Sequence, residues 1–597
     1  MSKLNRIAGV LACLWVLSGC GAPAGGPARA AGPAEPSGTE KIAGLWGFEK
    51  VLGPRARGPI SLDGRGGEWR GSVAGYGAPV RREGDSLGFI VPQVGEFRGH
   101  ITADGKRIFG HWIQPESEIN SIAYASPVQL TDVADNVWRG NLVPFDERIS
   151  FYALIRRGEK SALTAIIRNP ERNWFNGRVY DVAVKNGSVV FTNGQQRLEG
   201  TYDPETDRLA LPLMDNAPPV SLTRRDASHA AGFYPRPPSS SRYDSRPPAA
   251  EDDGWMTASP EAVGLDPEPL RALVEKIIGA DQGAEPIKIQ ALLVARHGTL
   301  VLEEYFYGFD ASRPHDTRSA GKTIAPILLG MALEQSGHFK PGDLVASVFP
   351  EYQPFAHLDD SKKRMTVKDL LTMTSGLACD DNDDSSPGGE DRMQQQTGQP
   401  DWYKFVLDLP MAAPPGGNRA VYCTAALNLV GGVVRNATRT WLPRYFDERL
   451  ARPLQFGVYH MNLMPTREAY MGGGIYIRPR DVLKLGQLYL SGGTWNGHRI
   501  VSREWVEEST RAYSKFAPAF DFDTDHEYGY AWHIHHLTAN GKTHRIYAAE
   551  GNGGQMVIVI PDLDMVVGFN GGAYAQFSRW YRWLHELVPQ YIFPAAR

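Results

Sequence analysis

The pattern of hydrophobic and polar positions divides the chain into regions of different periodicity. From residue 43 to residue 225, short apolar runs such as Ile149–Ile155 and Val179–Val184 are bounded by turn signals, and helical periodicity is scarce. The turn signals are Asp104-Gly105, Asn176-Gly177, Asn186-Gly187 and Asn193-Gly194. This pattern predicts an all-β region, either two small barrels or sandwiches or one larger barrel.

The C-terminal part has a different texture. Amphipathic helical stretches at Pro267–Ile278 and Thr323–Gln335 alternate with apolar strands. The predicted strands are Ile289–Arg296, Met556–Ile560 and Met565–Phe569. The chain is therefore expected to be multidomain, with an N-terminal all-β region followed by a mixed α/β domain.

Composition marks the segments between these regions. Residues 21–40 are rich in Gly, Ala and Pro and cannot build a core, and proline pairs recur before residue 252. Spaced similarities, such as Phe97-Arg-Gly99 with Leu198-Glu-Gly200, raise the hypothesis of a two-fold repeat, with chance similarity as the alternative. The predicted segments are 1–20 (signal peptide), 21–42 (tether), 43–230 (β-rich domain), 231–252 (linker) and 253–597 (α/β domain).

The first twenty residues predict export. Lys3 and Arg6 precede an apolar stretch too short to span a bilayer, as in a secretory signal. The ending Leu17-Ser-Gly-Cys20 resembles the lipobox of bacterial lipoproteins, which implies lipidation of Cys20; an ordinary signal with an incidental Cys is the alternative. Gly21 stands where Asp would favour the inner membrane, so the periplasmic side of the outer membrane is expected. Lipid would then be the membrane anchor.

Charge and composition exclude two classes of protein. The chain has 63 Lys+Arg and 67 Asp+Glu, a net charge of −4, which argues against nucleic acid as a partner. Hydrophobic residues make up 42% and charged residues 22%, as in a globular protein rather than a disordered one.

The candidate chemistry starts at Ser319-Ala-Gly-Lys322. This S-x-x-K opens the apolar run from Thr323 to Leu333, so Ser319 is predicted at a helix N-terminus. A spacing of three residues places Lys322 beside it on the same face. A neighbouring amine with a lowered pKa can take the proton of a serine hydroxyl and make it a nucleophile.

Several motifs, in a fixed order, resemble those of one family. They are Thr299–Tyr305, Arg318–Thr323, Met365–Leu377, Pro415-Gly416, Tyr422–Thr424, Gly472–Gly474, Arg480-Asp481 with Gly486–Leu488, Tyr528–Tyr530 and Gly551–Gln555. Residues 253–597 thereby resemble the serine β-lactamase-related hydrolases, which include class C β-lactamases, DD-carboxypeptidases and esterases. The resemblance implies a β-lactamase/transpeptidase-like α/β fold with a helical subdomain.

The resemblance also implies roles at the second motif, Tyr422-Cys423-Thr424. Tyr422 would share a proton with Lys322 and help to deliver water to the acyl-enzyme. The adjacent ammonium is expected to lower the pKa of the phenol from its usual value of about 10. Thr424 would donate a hydrogen bond to the substrate.

The third motif of the family carries a cation and aligns here with Ala549-Glu550-Gly551. That cation, which binds a substrate carboxylate, is missing, so β-lactamase or DD-peptidase activity is less expected than other acyl transfer. Gly551 would shape the strand. The amide of Asn552 would join that of Ser319 as an oxyanion donor.

Two cysteines are left for a disulfide. Cys13 would leave with the signal peptide and Cys20 would carry lipid, so Cys379 and Cys423 remain in an oxidising compartment. A bridge between them is predicted, with two buried thiols as the alternative. In the resembling fold both segments line one cleft.

No metal and no other cofactor is predicted. His533, His535 and His536 lie in a strand-like run without a matching ligand set, which favours a hydrogen-bonded or solvated strand. Asp380–Asp384 lacks the turn Gly and the bidentate Glu of a calcium loop.

The sequence therefore predicts an exported, lipid-anchored serine hydrolase. It would act through an acyl-enzyme on a small ester, amide or peptide, and esters are expected more than β-lactams. The alternative is a non-catalytic cell-envelope binding protein that retains a penicillin-binding-like fold.

Overall fold

The computed structural model describes residues 41–596, except 118, 120, 159–161, 195, 238–242 and 280–285. The predicted signal peptide and Cys20 lie outside the described residues. The described residues divide into two compact units: those within 41–50 and 149–237, with residue 286, form the first, and those within 51–148, 243–279 and 287–596 form the second. Residues 51–148 thus belong to the same unit as the C-terminal part.

The N-terminal region consists of strands. They are β1 (Gly44–Leu52), β2 (Gly58–Asp63), β3 (Arg70–Val73), β4 (Tyr76–Pro79), β5 (Arg81–Glu83), β6 (Ser86–Val91), β7 (Gly95–Ile101), β8 (Arg107–Ile113), β9 (Ala123–Ala134), β10 (Val137–Leu142), β11 (Glu147–Arg157), β12 (Leu163–Arg168), β13 (Val179–Lys185), β14 (Ser188–Thr192), β15 (Arg197–Asp203), β16 (Arg208–Leu211) and β17 (Val220–Arg225). The all-β prediction is confirmed.

A closed barrel is formed by β1 and β11–β17. It closes where β1 pairs antiparallel with β17, Trp46 lying opposite Arg224. Asn186 and Gly187 connect β13 to β14 with φ of 51° and 80°, the left-handed geometry that a two-residue hairpin turn requires. Fully buried side chains such as Trp46 and Tyr180 fill its interior.

A second sheet has the strand order β4-β3-β2-β10-β9-β8-β7-β6-β5. Its core includes the fully buried Phe97 and Trp112, and Trp69 stacks on Trp138 with ring centroids 5.2 Å apart. The N-terminal region therefore contains two sheets rather than one larger barrel.

The C-terminal strands form mainly one antiparallel sheet. The strands are β18 (Met256–Thr257), β19 (Ile289–Arg296), β20 (Thr299–Tyr305), β21 (His315–Asp316), β22 (Tyr459–Leu463), β23 (Tyr476–Ile477), β24 (Thr494–Trp495), β25 (His498–Arg499), β26 (Ser514–Lys515), β27 (Glu527–Tyr528), β28 (His533–Ala539), β29 (Lys542–Gly551), β30 (Gln555–Ile560) and β31 (Met565–Gly571). Nine of them follow the order β18-β20-β19-β31-β30-β29-β28-β27-β26. The three predicted apolar strands coincide with β19, β30 and β31.

Both faces of this sheet are covered. Along β19, Leu293 packs into one hydrophobic core and its neighbour Leu292 into another, as the two-residue period of a strand requires. The sequence of such a strand is continuously apolar because neither face is exposed to solvent.

Helices supply the covering layers. They are α1 (Pro267–Gly279), α2 (Ile324–Ser336), α3 (Val345–Val348), α4 (Val367–Leu371), α5 (Glu390–Gln395), α6 (Trp402–Leu407), α7 (Thr424–Thr438), α8 (Leu442–Phe446), α9 (Pro479–Leu490), α10 (Arg503–Ser509), α11 (Phe577–Arg582) and α12 (Phe593–Ala595), and a π-helix spans Trp583–Ile592. No helix within the described ranges has the length and apolar composition to cross a bilayer.

The helix after the S-x-x-K differs from its prediction. Every residue from Ile324 to Ala332 in α2 is buried, so the helix is covered all round rather than amphipathic. Its sequence is almost entirely apolar in this stretch because α2 lies inside the core and packs against α7.

The second N-terminal sheet continues into the C-terminal part. Strand β22 pairs antiparallel with β9, Met461 lying opposite Ala125. Beside this pairing, the hydroxyl of Ser126 lies 2.8 Å from Nδ1 of His460 in the buried interior. Because backbone and side-chain hydrogen bonds both cross this junction, residues 51–148 are integral to the second unit.

Candidate active site

The Ser319–Lys322 pair lies in a tight turn. Residues Arg318–Thr323 form a 3-10 helix that leads into α2, so Ser319 precedes the α-helix rather than starting it. Residues three apart lie one above the other in a 3-10 helix. Lys322 Nζ accordingly lies 2.8 Å from Ser319 Oγ, within hydrogen-bonding distance.

Burial sets the charge state of the amine. Lys322 is 1% exposed, and this desolvation lowers the pKa of its ammonium, while the carboxylates of Glu390 and Asp381 act to raise that pKa. Burial dominates, so the amine releases its proton more easily than an ordinary lysine. A neutral amine beside a serine hydroxyl can act as its general base.

Tyr422 lies next to the pair. Lys322 Nζ is 5.0 Å from the centroid of the Tyr422 ring. Burial raises the pKa of the phenol well above its usual range, against the opposing effect of a hydrogen bond with Ser319. The expectation that this pKa is lowered is therefore wrong, because desolvation is the largest effect on the phenol. Tyr422 is a neutral phenol, which can still accept and donate a proton.

Thr424 is the first residue of α7, and Cys423 before it is the N-cap of that helix. The Cys423 sulfur accepts a hydrogen bond from the amide of Ala426 at 3.2 Å, and the amide of Thr424 donates to Asp381 Oδ2 at 2.8 Å. The Thr424 hydroxyl is fully buried and has no hydrogen-bond partner among the described residues. Its predicted contact with substrate stays a prediction.

The two cysteines are joined. Cys379 and Cys423 form a disulfide with their Cα atoms 5.4 Å apart. The amide of Asp381 also donates to the carbonyl of Tyr422 at 2.9 Å. The covalent link and the hydrogen bond together attach the start of the acidic loop, Asp380–Asp384, to the backbone of Tyr422.

Glycines allow two segments to approach the serine turn. A Cβ on Gly551 would lie 2.6 Å from the carbonyl oxygen of Thr317 and 2.9 Å from the amide of Ala320. Gly473 has a φ of 114°, and a Cβ there would meet the carbonyl of Arg318. Only residues without a side chain fit at these positions. The end of β29 is thus held against the turn that carries the predicted nucleophile.

Asn552 directly follows β29, which brings it to the same edge of the site. Its side-chain oxygen accepts a hydrogen bond from the amide of Ala575 at 2.8 Å. The side chain is thereby occupied in fixing the loop. The backbone amide is the group predicted to bind an oxyanion, and that role stays a prediction.

Glu550 is directed into a group of histidines. Its Oε1 lies 2.6 Å from Nε2 of His535, and its Oε2 lies 3.8 Å from Nδ1 of His533. Burial alone would raise the pKa of Glu550, but the neighbouring histidines hold it at about 2. The carboxylate is therefore charged and paired where the family has a cation.

Some of these histidines lie beside other possible metal-ligating side chains, which the sequence alone did not show. Two sets of three residues each bring their potential ligand atoms within 4.8 Å of one another. One set is Asp523, His535 and His585, and the other is His526, His535 and Glu550. The expectation of no matching ligand set does not hold. The Asp380–Asp384 loop is in neither of the sets found among the described residues. The density of histidines between residues 526 and 544 was the available signal.

Comparison with known proteins gives a family match for the C-terminal part of the chain. The Beta-lactamase family model matches residues 277–571. A 6-aminohexanoate-dimer hydrolase of Paenarthrobacter ureafaciens is 25% identical over 252 residues, which cover 40% of this chain and 61% of that relative. This chain therefore spans less than two thirds of that relative's length.

Solved structures show likeness over about half of the chain. A penicillin-binding protein homologue from Caulobacter crescentus has 14% identity and a TM-score of 0.41, covering 52% of this chain and 93% of that one. A D-stereospecific amidohydrolase from Streptomyces sp. has 14% identity and a TM-score of 0.39, covering 52% and 96%. The match to the family model identifies residues 277–571 as a Beta-lactamase-family domain.

Proposed function

We propose that the protein is an exported serine hydrolase that acts through an acyl-enzyme. Ser319 is the nucleophile, Lys322 is its general base, and Tyr422 relays protons. The observation that carries this proposal is the 2.8 Å contact between Lys322 Nζ and Ser319 Oγ. The buried amine has a lowered pKa, which a general base for serine needs.

The proposed reaction assigns a group to each step. Lys322 takes the proton of Ser319 as Oγ bonds to the substrate carbonyl carbon. The amides of Ser319 and Asn552 donate to the resulting oxyanion. Collapse of this intermediate breaks the bond to the leaving group, which receives a proton from Lys322 through Tyr422. Water then attacks the acyl-enzyme, gives its proton back through the same groups, and releases the acid and free Ser319.

Esters and simple amides are the proposed substrates. Glu550 stands at the position of the family's cation and is paired with His535, so a substrate carboxylate finds no cation on that residue. The relative from Paenarthrobacter ureafaciens is named for the 6-aminohexanoate dimer, whose two units are joined by an amide. That dimer belongs in the substrate panel beside p-nitrophenyl esters and nitrocefin.

Export and a lipid anchor at Cys20 belong to the same proposal. The Cys379–Cys423 disulfide supports export, because disulfides persist in oxidising compartments. Radiolabelled palmitate incorporated in bacterial cells tests the anchor. The wild-type chain should be labelled and sediment with membranes, and the Cys20→Ala chain should be neither. Equal labelling of both chains would refute the anchor.

Labelling with a fluorophosphonate tests the catalytic proposal. The wild-type chain should be labelled and should hydrolyse p-nitrophenyl esters, whereas Ser319→Ala should lose both properties and keep its thermal stability. Ser385→Ala removes an exposed hydroxyl and serves as the matched control. Hydrolysis by Ser319→Ala would refute the role of Ser319. A folded wild-type chain that neither reacts nor turns over any ester or amide would favour the non-catalytic binding protein.

A further inference from the structure

A buried group of titratable side chains lies beside the catalytic residues. This histidine cluster is defined here as Asp523, His526, His535, Glu550 and His585. Its members come from the loop between β26 and β27, from β28, from the end of β29, and from the C-terminal π-helix. Acyl transfer as proposed above uses none of these side chains.

Three possible ligand atoms lie within 4.8 Å of one another, and two of their separations match those of a tetrahedral metal site. His535 Nδ1 lies 3.4 Å from Asp523 Oδ1, and His585 Nε2 lies 3.5 Å from the same oxygen. Zinc binds nitrogen and oxygen at about 2.0–2.2 Å, and a tetrahedron with such bonds separates its ligand atoms by about 3.4 Å. These separations are long for hydrogen bonds and normal for two ligands of one ion.

The two nitrogens otherwise lack partners. Neither His535 Nδ1 nor His585 Nε2 makes a hydrogen bond of normal geometry with a described residue, although both atoms are buried. Asp523 is 2% and His535 1% exposed. Burying a polar atom without a hydrogen-bond partner destabilises the folded state, so these two unpartnered nitrogens point to a missing ligand.

Glu550 completes an arrangement typical of metal sites. The other ring nitrogen of His535, Nε2, lies 2.6 Å from Glu550 Oε1. A carboxylate that accepts this N–H holds the ring so that Nδ1 can bind a metal ion, and binding displaces the proton that the imidazolium form carries on Nδ1. Metal-bound histidines nearly always have such a partner behind them. His526 Nδ1 lies 3.2 Å from Asp523 Oδ2, the second oxygen of that carboxylate.

We propose that Asp523, His535 and His585 bind one divalent transition-metal ion of the zinc type. Two imidazoles and one carboxylate suit zinc better than calcium or magnesium, which prefer oxygen. The ion joins three segments that are far apart in the sequence. It thereby stabilises the wall next to the catalytic site, where the Phe516 ring lies 5.2 Å from that of His526 and 5.9 Å from that of Tyr422.

Metal content of the full chain tests this site. The wild-type chain, loaded with zinc chloride and passed over a chelating resin, should retain about one zinc per chain by mass spectrometry and should melt at a higher temperature than after EDTA treatment. Asp523→Asn and His585→Ala should lose the bound zinc. His536→Gln should retain it, because His536 lies on the same strand but outside the cluster.

A second probe covers the case in which the variants fail to fold. Cobalt chloride added to the metal-free wild-type chain should produce the intense visible bands of tetrahedral Co²⁺, and zinc should displace them. A wild-type chain that retains no zinc, melts at the same temperature with EDTA and shows no such bands overturns the proposal. Retention of zinc by both variants overturns the assigned ligands. None of these results depends on labelling of Ser319.

Discussion

Two neighbouring residues of one strand serve two different chemical groups. Gly551 lies against the turn that carries Ser319 and Lys322, whereas Glu550 reaches into the histidine cluster. Successive residues of a strand point to opposite sides, which allows β29 to separate these groups. The proposed catalytic group (Ser319, Lys322 and Tyr422; called the catalytic group below) and the histidine cluster are thus neighbours that share no side chain.

The two groups differ in how they handle charge. The catalytic group surrounds one amine, Lys322, with a hydroxyl and a phenol, and burial lowers the pKa of that amine. The histidine cluster instead brings two carboxylates next to imidazoles, so opposite charges offset the cost of desolvation. The catalytic group is therefore arranged for reactivity, and the histidine cluster is arranged to stabilise the fold. Variants of the first should therefore change activity, and variants of the second should change stability.

The largest expected effect comes from removing the proposed base. Lys322→Met keeps the length of the side chain and removes the amine, so kcat/KM for a p-nitrophenyl ester should fall by about 10²–10⁴-fold. The melting temperature should change little, because an apolar side chain suits a site that is 1% exposed. Lys340→Met, the same change at an exposed position, should keep full activity.

The claim that variants of the catalytic group change activity rather than stability would fail if Lys322→Met unfolded the chain while Lys340→Met did not. Activity of Lys322→Met within a few-fold of the wild type would instead refute general-base catalysis by this residue. Ester kinetics and a thermal melt on the same protein samples distinguish these outcomes.

The next effect concerns the disulfide, which should influence both stability and activity. The Cys379–Cys423 bridge closes a span of 44 residues and should stabilise the folded chain by about 3–4 kcal/mol in the chain-entropy model. It also fixes the backbone of Tyr422, so reduction should lower kcat as well as the melting temperature. A double Cys379→Ser, Cys423→Ser variant should show the same two losses without reductant.

Mass spectrometry of an unreduced digest checks the bridge itself. If both thiols are alkylated in the folded, unreduced chain, the predicted bridge does not form. If the bridge forms but its reduction lowers only the melting temperature, then Tyr422 does not need it for catalysis.

The two groups also differ in how far apart their residues lie in the sequence, and this explains what the sequence could predict. Ser319 and Lys322 are three positions apart, so a spacing rule was enough to predict their contact. The strands β19, β30 and β31 were predicted because short-range periodicity reports burial. The folded chain alone brings together a loop, a strand and the C-terminal π-helix, which carry Asp523, His535 and His585. No local pattern encodes such a contact.

Three features that the sequence did not predict share that cause. The 3-10 geometry at Arg318–Thr323, the burial of α2 on all sides and the pairing of β9 with β22 depend on tertiary neighbours. The raised pKa of Tyr422 is similar, since the sequence shows a nearby lysine but not the depth of burial. Interactions that depend on desolvation were therefore the least accessible from sequence alone.

A smaller effect is expected in substrate preference. Because Glu550 is held by His535, a β-lactam carboxylate lacks a charge-assisted hydrogen bond worth about 1.5–3 kcal/mol, or about 10- to 150-fold in kcat/KM. Short acyl esters should therefore be hydrolysed much faster than nitrocefin. Comparable kcat/KM values for the two substrates would show that another cation replaces the missing one.

The smallest effect is a shift in the pH profile caused by Glu390. Its carboxylate acts to raise the pKa of Lys322, because a negative charge stabilises the ammonium form. Activity requires the neutral amine, so kcat/KM rises as the pH rises through that pKa. Glu390→Gln removes the charge, keeps an acceptor for the Tyr470 hydroxyl, and should move the rising limb to lower pH.

The matched control for this shift is Asp384→Asn, which removes one negative charge from an exposed position of the acidic loop. Its pH profile should coincide with that of the wild type, since solvent screens exposed charges. Profiles of kcat/KM measured on one p-nitrophenyl ester decide the matter. A shift of the Glu390→Gln limb to higher pH, or no shift at all, would show that Lys322 does not control this limb, and the catalytic group would then need a different base.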